Sequence, residues 1–256
     1  MGHISKFSYG YADGQLTSAT DPNSQITTYK YNIQPSGCGF QDEFDRLGET
    51  DHPDGGITTN CYNDSPYNPS APSPSVTITK AITSGLNEVS TTAYDGIGHA
   101  IETILSSDPD NTTYTVTSYD GIGKPYQVYN PTRCSTPTTN CGTETTWGYA
   151  TNTYDALGRS TQVAEPDGST SSTSYSQNTT GFLTTVTDEI GNQRKSQTDG
   201  LGRLTYVWEA PSVSGYNYET DYGYDPLSNL LSVNQKGAVV RPSGVSAHLS
   251  MIPCLG

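Results

Sequence analysis

Six aspartates recur at like places in short phrases: Asp45 in FDRLGE, Asp95 in YDGIGH, Asp120 in YDGIGK, Asp155 in YDALGR, Asp199 in TDGLGR and Asp225 in YDPLSN. A carboxylate held beside a substrate can act as a general acid or base. Catalysis needs one constellation, however, and the same Asp at the same place in every copy reads as a structural device. Such a carboxylate accepts backbone N–H groups within its own turn. Gly48, Gly98, Gly123, Gly158 and Gly202 follow three residues later and are expected to supply positive φ. Arg159 and Arg203 come next, placed to pair with neighbouring carboxylates or to stack on tyrosine rings.

Other chemistry finds little footing. No G-x-S-x-G is present, His3, His52, His99 and His248 are scattered, and no C-x-x-C offers a zinc ligand pair. Among many acidic residues, nothing singles out a pair spaced for glycoside hydrolysis. DHPDGG at 51–56 could offer oxygen ligands to calcium, but it lacks the D-x-D-x-D-G pattern and is explained as a turn. The sequence therefore predicts a non-enzymatic protein with no catalytic residues, metal or cofactor. Trp147 and Trp208, with Tyr126 and Tyr129, are the candidate glycan contacts, against a plainer role packing between hairpins. Asn63, Asn111 and Asn178 open N-x-S/T sequons and are candidate glycosylation points. Cys134 and Cys141 bracket a loop-like insert and suggest one disulfide; Cys38 and Cys61 flank a repeat and suggest a second, leaving Cys254 over.

The elements that must carry these residues are strands. A second phrase alternates with the first: DHPDGG, DPDN at 108–111 and EPDGS at 165–169, with DPNS at 21–24 and DEIGN at 188–192 as looser versions. Pro presets the first corner of such a turn, Asp caps it and Gly accepts positive φ. Between turns lie Thr-, Val- and Tyr-rich runs such as TTYTVTSY at 112–119, which are strand signals. Strand and turn at roughly ten-residue spacing give a meander of antiparallel hairpins. One hairpin alone is unstable in water, so each is expected to bury its Tyr and Leu rows against the next. No segment reads as a helix. The first phrase recurs at spacings of 50, 25, 35, 44 and 26 residues, so insertions are carried in loops, notably near 61–75 and 130–147.

Composition bounds the rest. Hydrophobic residues are 32% of the 256, with 26 Gly, 16 Pro and 19 Tyr, which points to thin, Tyr-rich packing. The net charge is −14 with only 12 Lys and Arg, which argues against a nucleic-acid partner. No apolar run approaches a membrane span, and the N-terminus lacks the apolar segment of a signal peptide. The chain opens partway through a repeat, as an internal piece of a longer protein would.

The phrase Y-D-x-L-G-R with its interleaved P-D-G turns, over about residues 9–235, resembles the YD repeat of Rhs proteins, and is similar to the repeats of Tc toxin subunits and teneurins. The resemblance implies an all-β fold of stacked antiparallel hairpins forming a curved, spiralling YD-repeat sheet. In long members that sheet closes into a shell around a toxic or variable C-terminal segment, and some members act in adhesion or carbohydrate binding. This chain is short and lacks the P-x-x-x-x-D-P-x-G signature of many Rhs cores, so the sheet is expected to be open. Residues 1–236 are read as the hairpin ribbon and 237–256 as a non-repeat tail.

The function expected is that of a structural scaffold, an extracellular or cell-surface shell segment or a filament subunit that self-associates through its sheet edges. A glycan- or surface-protein-binding adhesion module is the alternative, and a fragment of a toxin-encapsulating shell a second.

Overall fold

The computed structural model describes residues 4–64, 74–209, 218–236 and 247–249. Among them there is no helix, and the fold is all-β and antiparallel. The chain divides into two compact units, 1–149 and 150–256.

In the first unit ten strands follow one another as a meander: β1 (Lys6–Tyr9), β2 (Leu16–Thr20), β3 (Ile26–Tyr31), β4 (Leu47–Asp51), β5 (Ile57–Asn63), β6 (Ser75–Thr83), β7 (Leu86–Tyr94), β8 (Ala100–Leu105), β9 (Thr113–Tyr119) and β10 (Pro125–Tyr129). Each pairs with its sequence neighbours, and β1 pairs with β2 alone among the described residues. The sheet is open. The second unit repeats the plan with β11 (Tyr149–Tyr154), β12 (Ser160–Ala164), β13 (Thr170–Asn178), β14 (Gly181–Thr187), β15 (Gln193–Thr198), β16 (Leu204–Glu209), β17 (Tyr218–Tyr224), β18 (Leu230–Lys236) and β19 (Ala247–Leu249). The tail segment β19 pairs with β18 through Val233–Leu249, Asn234–His248 and Gln235–Ala247.

A meander puts successive turns on alternate edges of its sheet, and this is why two phrases alternate in the sequence. The turns carrying Asp95 and Asp120, which close β7–β8 and β9–β10, lie on one edge of the first unit. DHPDGG, between β4 and β5, lies on the other. In the second unit Asp155, Asp199 and Asp225 share one edge, and EPDGS and DEIGN the opposite one. The loose spacing has the same origin. The 44-residue step from Tyr154 to Thr198 spans two hairpins, and the edge turn between them is Asn178–Gly181, which does not use the phrase.

Within each unit the sheet is one layer, each strand touching its sheet neighbours. Few side chains are therefore fully covered. Val207, Cys38 and Cys134 are the buried apolar residues among those described, beside buried Thr50, Thr59, Thr132 and Gln197. Most of the described tyrosines lie half-covered on the sheet. The expected burial of the phrase's Leu or Ile does not occur: Ile97, Ile122, Leu157, Leu201 and Leu227 are 72–84% exposed. Each is the third residue of its loop, beyond the strand ends, where no neighbouring strand reaches.

Candidate functional site: a joint repeated between hairpins

Each phrase closes a five-residue loop, clearest at 155–159. The Asp155 N–H donates to the Arg159 carbonyl at 3.0 Å, and the Gly158 N–H donates to the Asp155 carbonyl at 2.9 Å. The Asp155 Oδ1 accepts the N–H groups of Leu157 and Arg159 at 2.9 and 3.0 Å. Its Oδ2 accepts Arg159 Nε at 2.7 Å. The backbone N–H of Arg159, and then its side chain, hold the Asp155 carboxyl below the usual carboxylate range. Gly158 closes the loop at φ 74°, where an L side chain is strained.

The loop then reaches across to the next hairpin. Continuing the Gln162–Ser172 register of β12 and β13 brings Arg159 opposite Tyr175. The guanidinium lies 4.0 Å from the Tyr175 ring centre, and the Tyr175 hydroxyl donates to the Ser160 carbonyl at 3.0 Å. An aspartate thus orients a cation, the cation covers a tyrosine of the next hairpin, and that tyrosine returns a hydrogen bond to the loop's exit residue. A cation–π contact at a part-exposed site is worth about 0.5–1 kcal/mol.

The joint recurs. Asp199 accepts Arg203 Nε at 2.7 Å, and Arg203 lies 5.1 Å from the Tyr224 ring. Asp95 holds His99 Nδ1 at 2.9 Å, His99 stacks on Tyr119 with centroids 4.4 Å apart, and the Tyr119 hydroxyl donates to the Ala100 carbonyl at 2.9 Å. Asp225 grips Asn229 through Oδ1 and Oδ2, each at 2.8 Å. Asp120 accepts the N–H groups of Ile122 and Lys124. Gly98, Gly123 and Gly202 sit at φ 94°, 80° and 79°, and Ser228 takes the same place at φ 67°.

The first copy departs from the sequence reading, which put Asp45 and Gly48 at the turn positions. Asp42 is the gripping carboxylate: it accepts the Arg46 N–H at 2.6 Å and Arg46 Nε at 2.8 Å. Asp45 stands where the other copies have Gly, at φ 54°. Gly48 lies inside β4, where an added Cβ would meet Ile33 at 2.9 Å. Tyr31 pairs with Leu47 as Tyr154 pairs with Ser160, and residues 32–41 are inserted between this Tyr and its Asp. The joint survives the insertion. Arg46 lies 3.8 Å from the Tyr62 ring, the Tyr62 hydroxyl donates to the Leu47 carbonyl at 3.0 Å, and Asp64 clasps the far side of the guanidinium at 2.6 and 2.9 Å.

The second phrase makes the same five-residue loop with the carboxylate moved. The Asp54 and Asp167 Oδ1 atoms accept the N–H two residues on, at 2.9 and 2.8 Å. DEIGN belongs with the first phrase, because Asp188 accepts the N–H groups of Ile190 and Asn192.

Disulfides join Cys38 to Cys61 and Cys134 to Cys141. The first ties the 32–41 insertion to β5. Beside the second, Thr132 exchanges backbone hydrogen bonds with Tyr114 at 2.8 and 2.9 Å. The candidate glycan contacts are engaged within the protein. The Trp147 indole N–H donates to the Pro137 carbonyl at 3.2 Å, and its ring meets Tyr129 and Tyr149 edgewise. Trp208 stacks on Tyr206 and donates to Glu219, while Tyr126 is exposed on β10. Of the sequon residues, Asn178 caps its own turn and donates to Gln197, Asn111 lies exposed at a loop tip, and Asn63 lies on β5 with Ser65 of its sequon outside the described residues. Cys254 and most of the 237–256 tail also lie outside them. Among the described residues no group of three or more His, Cys, Asp or Glu side chains could hold a metal ion, and no helix is long and apolar enough to cross a membrane.

No protein-family model and no curated protein matches the chain. Solved structures match its fold. The crystal structure of TcdB2-TccC3 superposes with a TM-score of 0.57 at 13% identity, over 90% of this chain and 15% of that one. The structure of TcdB2-TccC3 without its hypervariable C-terminal region gives 0.54 at 10% identity, over 90% and 18%. The chain thus spans less than a fifth of the chains it resembles, and the likeness is one of fold.

Proposed function

We propose that the chain is a non-enzymatic wall segment, a length of YD-repeat sheet that serves as scaffold or as part of a shell. The observation that carries this reading is the joint itself. A contact of Asp, then Arg or His, then tyrosine, built alike at four places, is a means of fastening hairpin to hairpin, not a reaction centre. The fold likeness to a Tc toxin component supports the shell form. The exposed Ile and Leu residues at the loop tips support it too, because an apolar row along an edge is suited to contact with further sheet of the same kind. Two disulfides favour an oxidising, extracellular setting.

Hydrogen exchange on Arg159→Ala at high dilution tests the reading. In a jointed wall, amides of both flanking hairpins, β11–β12 and β13–β14, lose protection together. A change confined to the 155–159 loop would remove the joint as a fastening and the wall reading with it.

A further inference from the structure

Two arginines of the joints reach past their tyrosine to a further acceptor. Arg203 lies over Tyr224, and its Nη1 goes on to donate to the carbonyl of Asp225, the first residue of the next loop, at 3.1 Å. Arg46 lies on Tyr62 and goes on to Asp64. The imidazole of His99 is too short for this. It is held by Asp95 and stacks on Tyr119, and among the described residues no hydrogen bond links its ring to the Asp120 loop that follows.

The space that Arg203 spans between its own pair of loops is therefore a cleft in this one. The cleft measures about 540 Å³, opens to solvent, and is lined by Ile97 and Ile122 of the two loops with His99, Tyr119 and Asp120. Its acceptors stand unfilled. The Asp120 carbonyl takes the Gly123 N–H, as the Asp225 carbonyl takes that of Ser228, but it has no counterpart to Arg203 among the described residues. In the Asp95, Asp155, Asp199 and Asp225 loops, Oδ2 holds the side chain of the fifth residue. Asp120 Oδ2 has no hydrogen-bond partner among the described residues, because Lys124 brings only its backbone N–H, which goes to Oδ1. With the proton of the neutral His99 ring on Nδ1, facing Asp95, Nε2 offers one acceptor more.

We propose that this cleft takes an arginine side chain of a partner protein. A guanidinium placed as Arg203 places its own presents a fork of donors to the carbonyl and carboxylate of Asp120. Its methylene stem then lies along Ile97 and Ile122, which are 80% and 72% exposed. The net charge of −14 draws a basic partner toward the site. The inference goes beyond the wall reading: it needs two neighbouring loops with one short side chain between them, whatever the sheet encloses.

Nuclear magnetic resonance titration of the full chain with Nα-acetyl-arginine amide tests it, read at the Ile122 amide and the His99 ring. Saturable shifts are expected at both. Nα-acetyl-lysine amide, with equal charge but no fork, and bare guanidinium ion, with no stem, should each bind about tenfold more weakly. His99→Arg supplies from within the side chain that the cleft takes from outside, and should bind no probe. Asp120→Asn keeps the oxygen that closes the loop but loses the charge, and should weaken binding about tenfold. Circular dichroism spectra like that of wild type identify both variants as folded. No saturable shift in wild type, lysine or guanidinium bound as tightly as arginine, binding retained in His99→Arg, or binding undiminished in Asp120→Asn would each overturn the proposal. The exchange experiment at Arg159 is independent of these outcomes, since that joint lies in the other unit.

Discussion

Arg159 is held by Asp155 within its own loop and covers Tyr175 of the next hairpin, its guanidinium 4.0 Å from the ring centre. One side chain thus links the conformation of a turn to the packing of the adjoining strand, the first of the next hairpin. Replacing Arg159 with Ala should lower stability by about 1 kcal/mol, the usual size of a part-exposed cation–π contact with its ion pair. Lys should restore only part of this, because an ammonium lacks the flat face that lies on the ring. Urea denaturation of both variants checks the order.

Acid should loosen the joints. The Asp155 carboxyl lies low because of the Arg159 N–H and side chain, and that of Asp225 because of the side chain and then the N–H of Asn229. A carboxyl whose folded pKa is depressed contributes stability above its unfolded pKa of about 3.9 and loses it as pH falls through the folded value. Stability should therefore be flat above about pH 5 and decline below it. Asp155→Asn should start lower and show a shallower acid decline. Melting curves between pH 6 and 2 read both.

Two glycines should respond differently to Ala. At Gly202 an added Cβ meets nothing within 4 Å, and the cost is the positive φ alone, about 1 kcal/mol. Gly202→Asn should cost less, since Asp45 and Ser228 already take that conformation in sister loops. At Gly181 a Cβ would lie 1.9 Å from the Thr198 carbonyl oxygen. Gly181→Ala must shift backbone, and should destabilise clearly more than either change at Gly202. Thermal melts rank the three.

Paired Ser substitutions at Cys38 and Cys61 should cost roughly 3.5 kcal/mol by loop entropy, against roughly 2.5 at Cys134 and Cys141, whose loop is shorter. Chemical denaturation of the two double variants compares them, and hydrogen exchange should place the first loss in residues 32–41.

Much of this fold could be read from residues alone, because turn chemistry is local. Asp and Gly at fixed offsets announce a loop wherever they fall, and Thr, Val and Tyr announce the strands between. The role of Arg159 was legible in kind, as a cation for a carboxylate or a ring. Its partner was not, since Tyr175 lies sixteen residues on and is chosen by register. The first copy was misread for a related reason. FDRLGE imitates the phrase, while the working residues, Tyr31 and Asp42, are parted by an insertion that erases the local pattern. Nothing local marks the Leu of each phrase as exposed either. Its fate depends on where the strand ends.

That insertion shows what such a sheet tolerates. Tyr31 still meets Leu47 although ten residues intervene before Asp42, so the loop's entrance can be opened without moving either strand. The frame and its decoration are separable. A foreign peptide grafted after Tyr154, carrying one cysteine bonded to a neighbouring strand as Cys38 within 32–41 is bonded to Cys61 of β5, would be displayed at the edge of an undisturbed sheet. The repeat is in that sense a mounting rail, and new surface can be hung from it one loop at a time.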